Sequence, residues 1–191
     1  PFPQRRLEAE QDSRAFPVRV VPDAIYYASL DTDPGWSLDE GWAWGRPAGQ
    51  GSWKGDPNRG HTGPSVVGTN LDGDYANSMG QTRYATTGAV DCTGYTDIRL
   101  GFWRWLGVES PYDKATLQVS NDGLVWVDLW VSGQSRVSDS AWQFVEYPVP
   151  SSVADGKATV FFRWGLGPTD DSITYPGWNI DDVQVTGKRQ E

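Results

Sequence analysis

The sequence predicts an all-β chain, a two-sheet antiparallel jelly-roll sandwich with an extended N-terminal arm. Three observations lead there. Short stretches of β-branched and aromatic residues recur between turn clusters at the spacing of sandwich strands. The 191 residues include 22 Gly and 13 Pro, a turn-rich composition. No part of the body carries a sustained helical periodicity. Eight to ten antiparallel strands around one core require two packed sheets.

The first element is the arm. Residues 1–15 are polar, with Phe2 and Leu7 as their large apolar groups, and such a segment cannot fold alone. It leads into a stretch in which Phe16, Val18 and Val20 share one face of an extended strand. Pro17 lacks an amide hydrogen and confines that strand to a sheet edge, either in its own domain or added to a neighbouring molecule. Residues 1–23 are expected to be an extended arm or linker, residues 24–187 the domain and 188–191 a tail, since about 190 residues suit one domain plus an arm. Strands are expected at 24–30, 97–106, 142–149, 158–166 and 178–186, with weaker ones near 65–68 and 82–86. The clearest unit is a hairpin. Ala115, Leu117 and Val119 alternate with polar residues, Asn121-Asp122-Gly123 supplies a tight turn, and residues 124–131 return. In the last strand Ile180 and Val183 both read as core-facing despite opposite parity, so a β-bulge is expected at Asp181-Asp182.

Composition excludes several function classes. Sixteen Lys plus Arg against 25 Asp plus Glu leave a net charge of −9, and such a surface repels phosphate backbones, so nucleic acid is not an expected partner. Single copies of Cys (Cys92) and His (His61) cannot supply the thiolate and imidazole sets of structural zinc sites or an internal disulfide. His61 reads as a loop histidine making a local hydrogen bond. No phosphate-cradling Gly loop or dinucleotide fingerprint occurs, and no apolar run reaches the ~20 residues that span a bilayer. The chain starts at Pro with no signal-like segment, which reads as a processed mature form or an excised piece. The Asp-, Gly-, Thr- and Trp-rich, Lys-poor balance points to a secreted or cell-surface bacterial protein.

Six motifs follow in order: Asp31-Thr32-Asp33-Pro34-Gly35-Trp36, Gly41-Trp42-Ala43-Trp44-Gly45, His61-Thr62-Gly63-Pro64, Asn70-Leu71-Asp72-Gly73-Asp74-Tyr75, Val119-Ser120-Asn121-Asp122-Gly123 with Trp126, and Gly177-Trp178-Asn179-Ile180-Asp181-Asp182-Val183. Through them, roughly the last 160 residues resemble the MAM-like jelly-roll modules (meprin, A5 and receptor phosphatase type) of secreted bacterial proteins. The resemblance implies a non-catalytic jelly roll, commonly with a bound calcium. It departs from the pattern at Pro176, where several such modules carry a Cys able to pair with one like Cys92. The disulfide is therefore not expected, and Cys92 reads as a small buried hydrophobe.

Calcium takes six to eight oxygen ligands. By the resemblance, Asp33, Asp74 and Asp181 lead as ligands of a structural calcium, with Asp31 and Asp182 next. In a jelly roll the first and last strands are often neighbours, so the two ends of the chain can meet at one ion. The plain alternative makes Asp33 and Asp72 turn formers and Asp182 a solvated strand residue. Catalytic carboxylate pairs need a defined separation that nothing in the spacing of 19 Asp marks. The chain is therefore not expected to be an enzyme.

Trp103 and Trp105 share the strand face opposite Ile98, Leu100 and Phe102. They form a possible ligand platform for stacking on sugar rings, unless loops fold over and bury them. Trp36, Trp42, Trp44 and Trp53 are expected to lid a satellite core. The leading functional expectation is a non-catalytic extracellular subunit that assembles head-to-tail with copies of itself into a fibre, donating its N-terminal strand. The alternative is a carbohydrate-binding or adhesion module cut from a larger secreted hydrolase or protease, with glycans as partners.

Overall fold

The computed structural model describes residues 24–52 and 55–190. Phe16, Val18 and Val20 of the expected assembly strand, and Trp53, lie outside the described residues. In chain order the strands are β1 (Ala24–Ala28), β2 (Ser37–Leu38), β3 (Trp42–Gly45), β4 (Val66–Thr69), β5 (Arg83–Thr86), β6 (Tyr95–Val108), β7 (Ala115–Ser120), β8 (Val127–Val131), β9 (Val137–Ser138) and β10 (Gln143–Pro148). A helical turn α1 (Ser151–Ala154) precedes β11 (Phe161–Leu166) and β12 (Gly177–Arg189). They form the expected antiparallel two-sheet sandwich. One sheet runs β10-β6-β12-β4-β3, with β1 also on β12 and β9 also on β6; the other runs β2-β5-β11-β7-β8.

Alternation along each strand builds the core. Ile98, Leu100 and Phe102 of β6, Leu117 and Val119 of β7, Phe162 and Trp164 of β11, and Ile180, Val183 and Val185 of β12 are all fully buried. Trp164 stacks on Trp36 (ring centroids 5.2 Å, planes 6° apart) and meets Phe102 edge-on. The Trp178 indole N–H donates across the sandwich to Gly165 O (3.0 Å). Trp36 and Trp42 therefore belong to the main core rather than to a satellite lid.

Three further differences from expectation have local causes. The hairpin return begins at Val127 rather than residue 124, because Asp122 Oδ1 accepts the N–H groups of both Leu124 and Val125 (2.8 Å each) and extends the turn. Only Gly123 of the turn triplet has positive φ (+71°). Strands β2, β3 and β9 are short pieces whose hydrophobic pattern is too brief to declare itself.

The feature that positions the site is on β12. One edge of this strand pairs with β6; along its other edge β4 takes Asn179 and Ile180, and β1 takes Val183 to Thr186. Asp181 and Asp182 fall between the two partners. The register against β6 shifts there, and Asp182 has φ +47°. This is the expected bulge, and it keeps Ile180 and Val183 both in the core.

Candidate functional site

Register assigns the outer face of the first sheet. Asn179 lies opposite Trp105 and Asp181 opposite Trp103, so these four side chains share the face away from the buried Leu100 and Phe102. The segment from Asp56 to Gly63 folds across it. Asp56 Oδ1 accepts from Asn179 Nδ2 (2.9 Å) and its Oδ2 accepts the Gly51 N–H (3.3 Å). Asp181 Oδ2 accepts the Thr62 N–H (3.0 Å), and Asp182 Oδ1 accepts from the hydroxyls of Thr62 and Tyr27 (2.8 Å each). His61 Nδ1 donates to Asp182 Oδ2 (2.8 Å).

Two glycines allow this approach. A Cβ on Gly60 would stand 2.7 Å from Asp181 Oδ2 and 2.8 Å from Ser65 O. A Cβ on Gly63, which has φ +56°, would overlap the Asp31 carboxylate. Asp31, Asp181 and Asp182 are thus gathered around one short loop from the two ends of the domain, and the Tyr27 hydroxyl lies within electrostatic reach of all three. Burial, followed by the charge of Asp182, pushes the Asp181 carboxyl up to about 8, against the opposing hydrogen bonds from the loop. Burial likewise raises Asp56 to about 6, with Asp74 adding to it.

Of the five expected metal ligands, Asp33 and Asp74 hydrogen-bond to groups other than this loop. Asp33 Oδ1 accepts the Gly35 N–H (2.9 Å) in a turn. Asp74 accepts from the Ser52 backbone N–H (2.7 Å), from the Ser52 hydroxyl and from Thr174 Oγ1 (3.3 Å). Among the described residues, no three His, Cys, Asp or Glu side chains already stand in joint metal-ligating geometry.

The two platform tryptophans are half-buried rather than sealed. Trp103 is covered by His61, which stacks on it at 3.5 Å between centroids with planes 10° apart, and it also meets Phe144 at a tilt of 60°. Trp105 stays at a groove of about 450 Å³ lined by Asp56 to His61, Trp105 and Trp142. Trp142 stands at 88° to Trp105 with centroids 6.0 Å apart. The pair makes a corner, not a flat platform. Trp105 Nε1 is buried without a partner among the described residues, a rare state for an indole donor. Arg59 is exposed on the loop beside it.

Sequence reasoning missed Trp142 and the reach of His61. The imidazole's partner is 121 residues away, and only the spacing Gly60-His61-Thr62-Gly63 hinted at a loop pressed against something. Cys92 is buried, and its thiol is pushed up to about 11 chiefly by that burial.

No known family model matches the chain. Over 183 residues, 92% of the chain, it is 29% identical to Bacillopeptidase F of Bacillus subtilis (strain 168), and it spans 12% of the length of that protein. Among solved structures, the K2 cleaved adhesin domain of Lys-gingipain from Porphyromonas gingivalis aligns with a TM-score of 0.50 at 18% identity, covering 84% of this chain and 98% of that one. The CBM22-1 xylan-binding domain of Xyn10C from Paenibacillus barcinonensis aligns at 0.52 and 11% identity, over 88% of this chain and 97% of that one. The CBM22-1 and GH10 modules of endo-1,4-β-D-xylanase 10B from Clostridium thermocellum, complexed with xylohexaose, align at 0.53 and 12% identity, over 88% of this chain and 29% of that one. Likeness at this identity shows a shared β-sandwich fold. It lends no support to assembly into fibres; the three neighbours are an adhesin domain of Lys-gingipain, a xylan-binding domain and modules of a xylanase.

Proposed function

We propose that the chain is an extracellular, non-catalytic carbohydrate-binding or adhesion module of a larger secreted protein, and that the Trp105–Trp142 groove is its glycan contact. The MAM-like affiliation of its motifs belongs to the same reading. The observation that carries it is the indole corner beside an orphaned indole donor. A sugar ring presents apolar C–H faces and polar edges; it can lay a face on Trp142 while a ring hydroxyl accepts from Trp105 Nε1. Rings at 88° cannot both stack on one flat polysaccharide surface, so the corner suits one sugar unit of a soluble chain. Loop groups from Asp56 to Arg59 stand at the edge where hydroxyls would emerge.

Structural calcium is the second part of the proposal. Asp31, Asp181 and Asp182 are hard oxygen donors, the type calcium selects, and Gly60 and Gly63 leave no room for a Cβ beside them. Calcium there would offset the charge of the Asp pair, and those residues would hold the loop that forms one wall of the groove.

Affinity electrophoresis through gels containing xylan, β-1,4-galactan, mannan or mixed-linkage glucan tests the glycan reading. At least one polysaccharide is expected to retard the wild-type domain, and Trp142→Ala is expected to run unretarded. Retardation equal in both proteins, or none in any gel, would contradict it.

A further inference from the structure

A second cleft, of about 810 Å³, opens where the edges of the two sheets meet. It shares no lining residue with the Trp105–Trp142 groove. On one side is the edge strand β3; on the other, β5 reaches it through a hydrogen bond from Trp42 Nε1 to Arg83 O (3.0 Å). Trp42, Trp44, Leu71 and Met79 give the cleft an apolar lining. Its size and lining are those of small-molecule sites, which are mostly apolar with a few placed polar groups.

Arg83 supplies the placed polar group. Its Nη1 donates to Glu40 Oε2 at 2.6 Å, while its Nε–H is buried with no acceptor among the described residues. Native proteins seldom leave a buried charged donor unanswered, and an incoming oxygen atom would answer it. The charge at the cleft restricts which oxygen. Glu40, Asp72 and Asp74 outnumber Arg46 and Arg83, and Arg83 is already paired with Glu40. An additional carboxylate would meet net repulsion.

We propose that this cleft binds a neutral amphiphile, with an aliphatic chain or ring against Trp42, Trp44, Leu71 and Met79 and an oxygen acceptor at Arg83 Nε. The site is independent of the glycan groove, so either can fail alone. Its probes are 1-hexanol, 1-heptanol and 1-octanol, followed through tryptophan emission. Saturable one-site binding is expected, strengthening roughly fourfold with each added methylene as burial of CH₂ groups dictates. Leu71→Trp, which narrows the cleft at its apolar wall, weakens binding. Arg83→Met keeps an apolar stem but removes the donor, and it weakens binding about tenfold. Trp142→Ala leaves the affinity unchanged, and sodium octanoate binds more weakly than 1-octanol.

Absence of saturable binding overturns the proposal, as does unchanged affinity in a folded Leu71→Trp variant. Should Leu71→Trp fail to fold, Arg83→Met decides: unchanged affinity there removes the oxygen contact and with it the proposal. Octanoate binding tighter than octanol overturns the assignment to a neutral ligand.

Discussion

His61 lies flat on Trp103, 3.5 Å between ring centroids, while its Nδ1 reaches Asp182 at 2.8 Å. One imidazole therefore ties the groove loop both to the aromatic wall of β6 and to the bulge of β12.

His61→Ala removes a ring stack and a charge-assisted hydrogen bond, and leaves Asp182 with two hydroxyl donors. A loss of about 2 kcal/mol is expected, which lowers Tm by roughly 4–8 °C in a domain of this size. Calorimetric melting checks it; a Tm within 1 °C of wild type, on the order of measurement error, would show that the loop is held by other contacts.

Gly60→Ala tests the closeness of the loop to Asp181. The added methyl cannot fit 2.7 Å from Asp181 Oδ2 and 2.8 Å from Ser65 O without backbone movement, and overpacking of this kind costs roughly 1–3 kcal/mol. The urea midpoint should fall with no change in slope. Gly80→Ala, with open space around its Cβ, is the control that should be near neutral.

Asp56 sets a pH dependence with a definite sign. Its folded-state value, raised by burial to about 6, lies above the ordinary 3.8. Its contribution to stability is therefore full below pH ~4, is lost as pH rises through about 6, and stays lost above. Asp56→Asn removes that titration. The Tm of the variant relative to wild type should be more favourable at pH 7.5 than at pH 4, read from paired melts in one buffer series. An equal difference at both values would mean that Asp56 titrates as a solvent-exposed carboxylate.

Calcium, if structural, binds the folded state alone and raises Tm by mass action. EDTA should lower the wild-type Tm and added calcium restore it. Asp31→Asn or Asp181→Asn should abolish the response, while Asp33→Asn and Asp74→Asn should retain it, because those two carboxylates serve a turn and Ser52. Loss of the response in Asp33→Asn or Asp74→Asn would return the ligand set to the one the motif resemblance implies.

The sandwich was legible because alternation is a local signal: Ala115, Leu117 and Val119 announce β7, and the parity break between Ile180 and Val183 announces the bulge. The gathering of Asp31 with Asp181 and Asp182 was legible only as a possibility, through the adjacency of first and last strands. The role of Asp33 and Asp74 was not legible, because an Asp beside Gly or Pro looks the same whether it caps a turn or faces an ion. Trp142 carried no signal at all. Its partner Trp105 is brought to it by the pairing of β6 with β10, a contact that sequence spacing does not encode.

The central claim rests on the corner formed by Trp105 and Trp142, and isothermal titration with a soluble oligosaccharide such as xylohexaose, or the glycan selected by electrophoresis, addresses it directly. Wild type should bind one chain per domain. Trp105→Ala and Trp142→Ala should each weaken binding at least tenfold, about 1.4 kcal/mol, whereas Trp126→Ala, whose ring is instead covered by the Arg163 guanidinium at 3.9 Å, should not. Wild-type affinity in both groove variants, or loss confined to Trp126→Ala, would contradict the account.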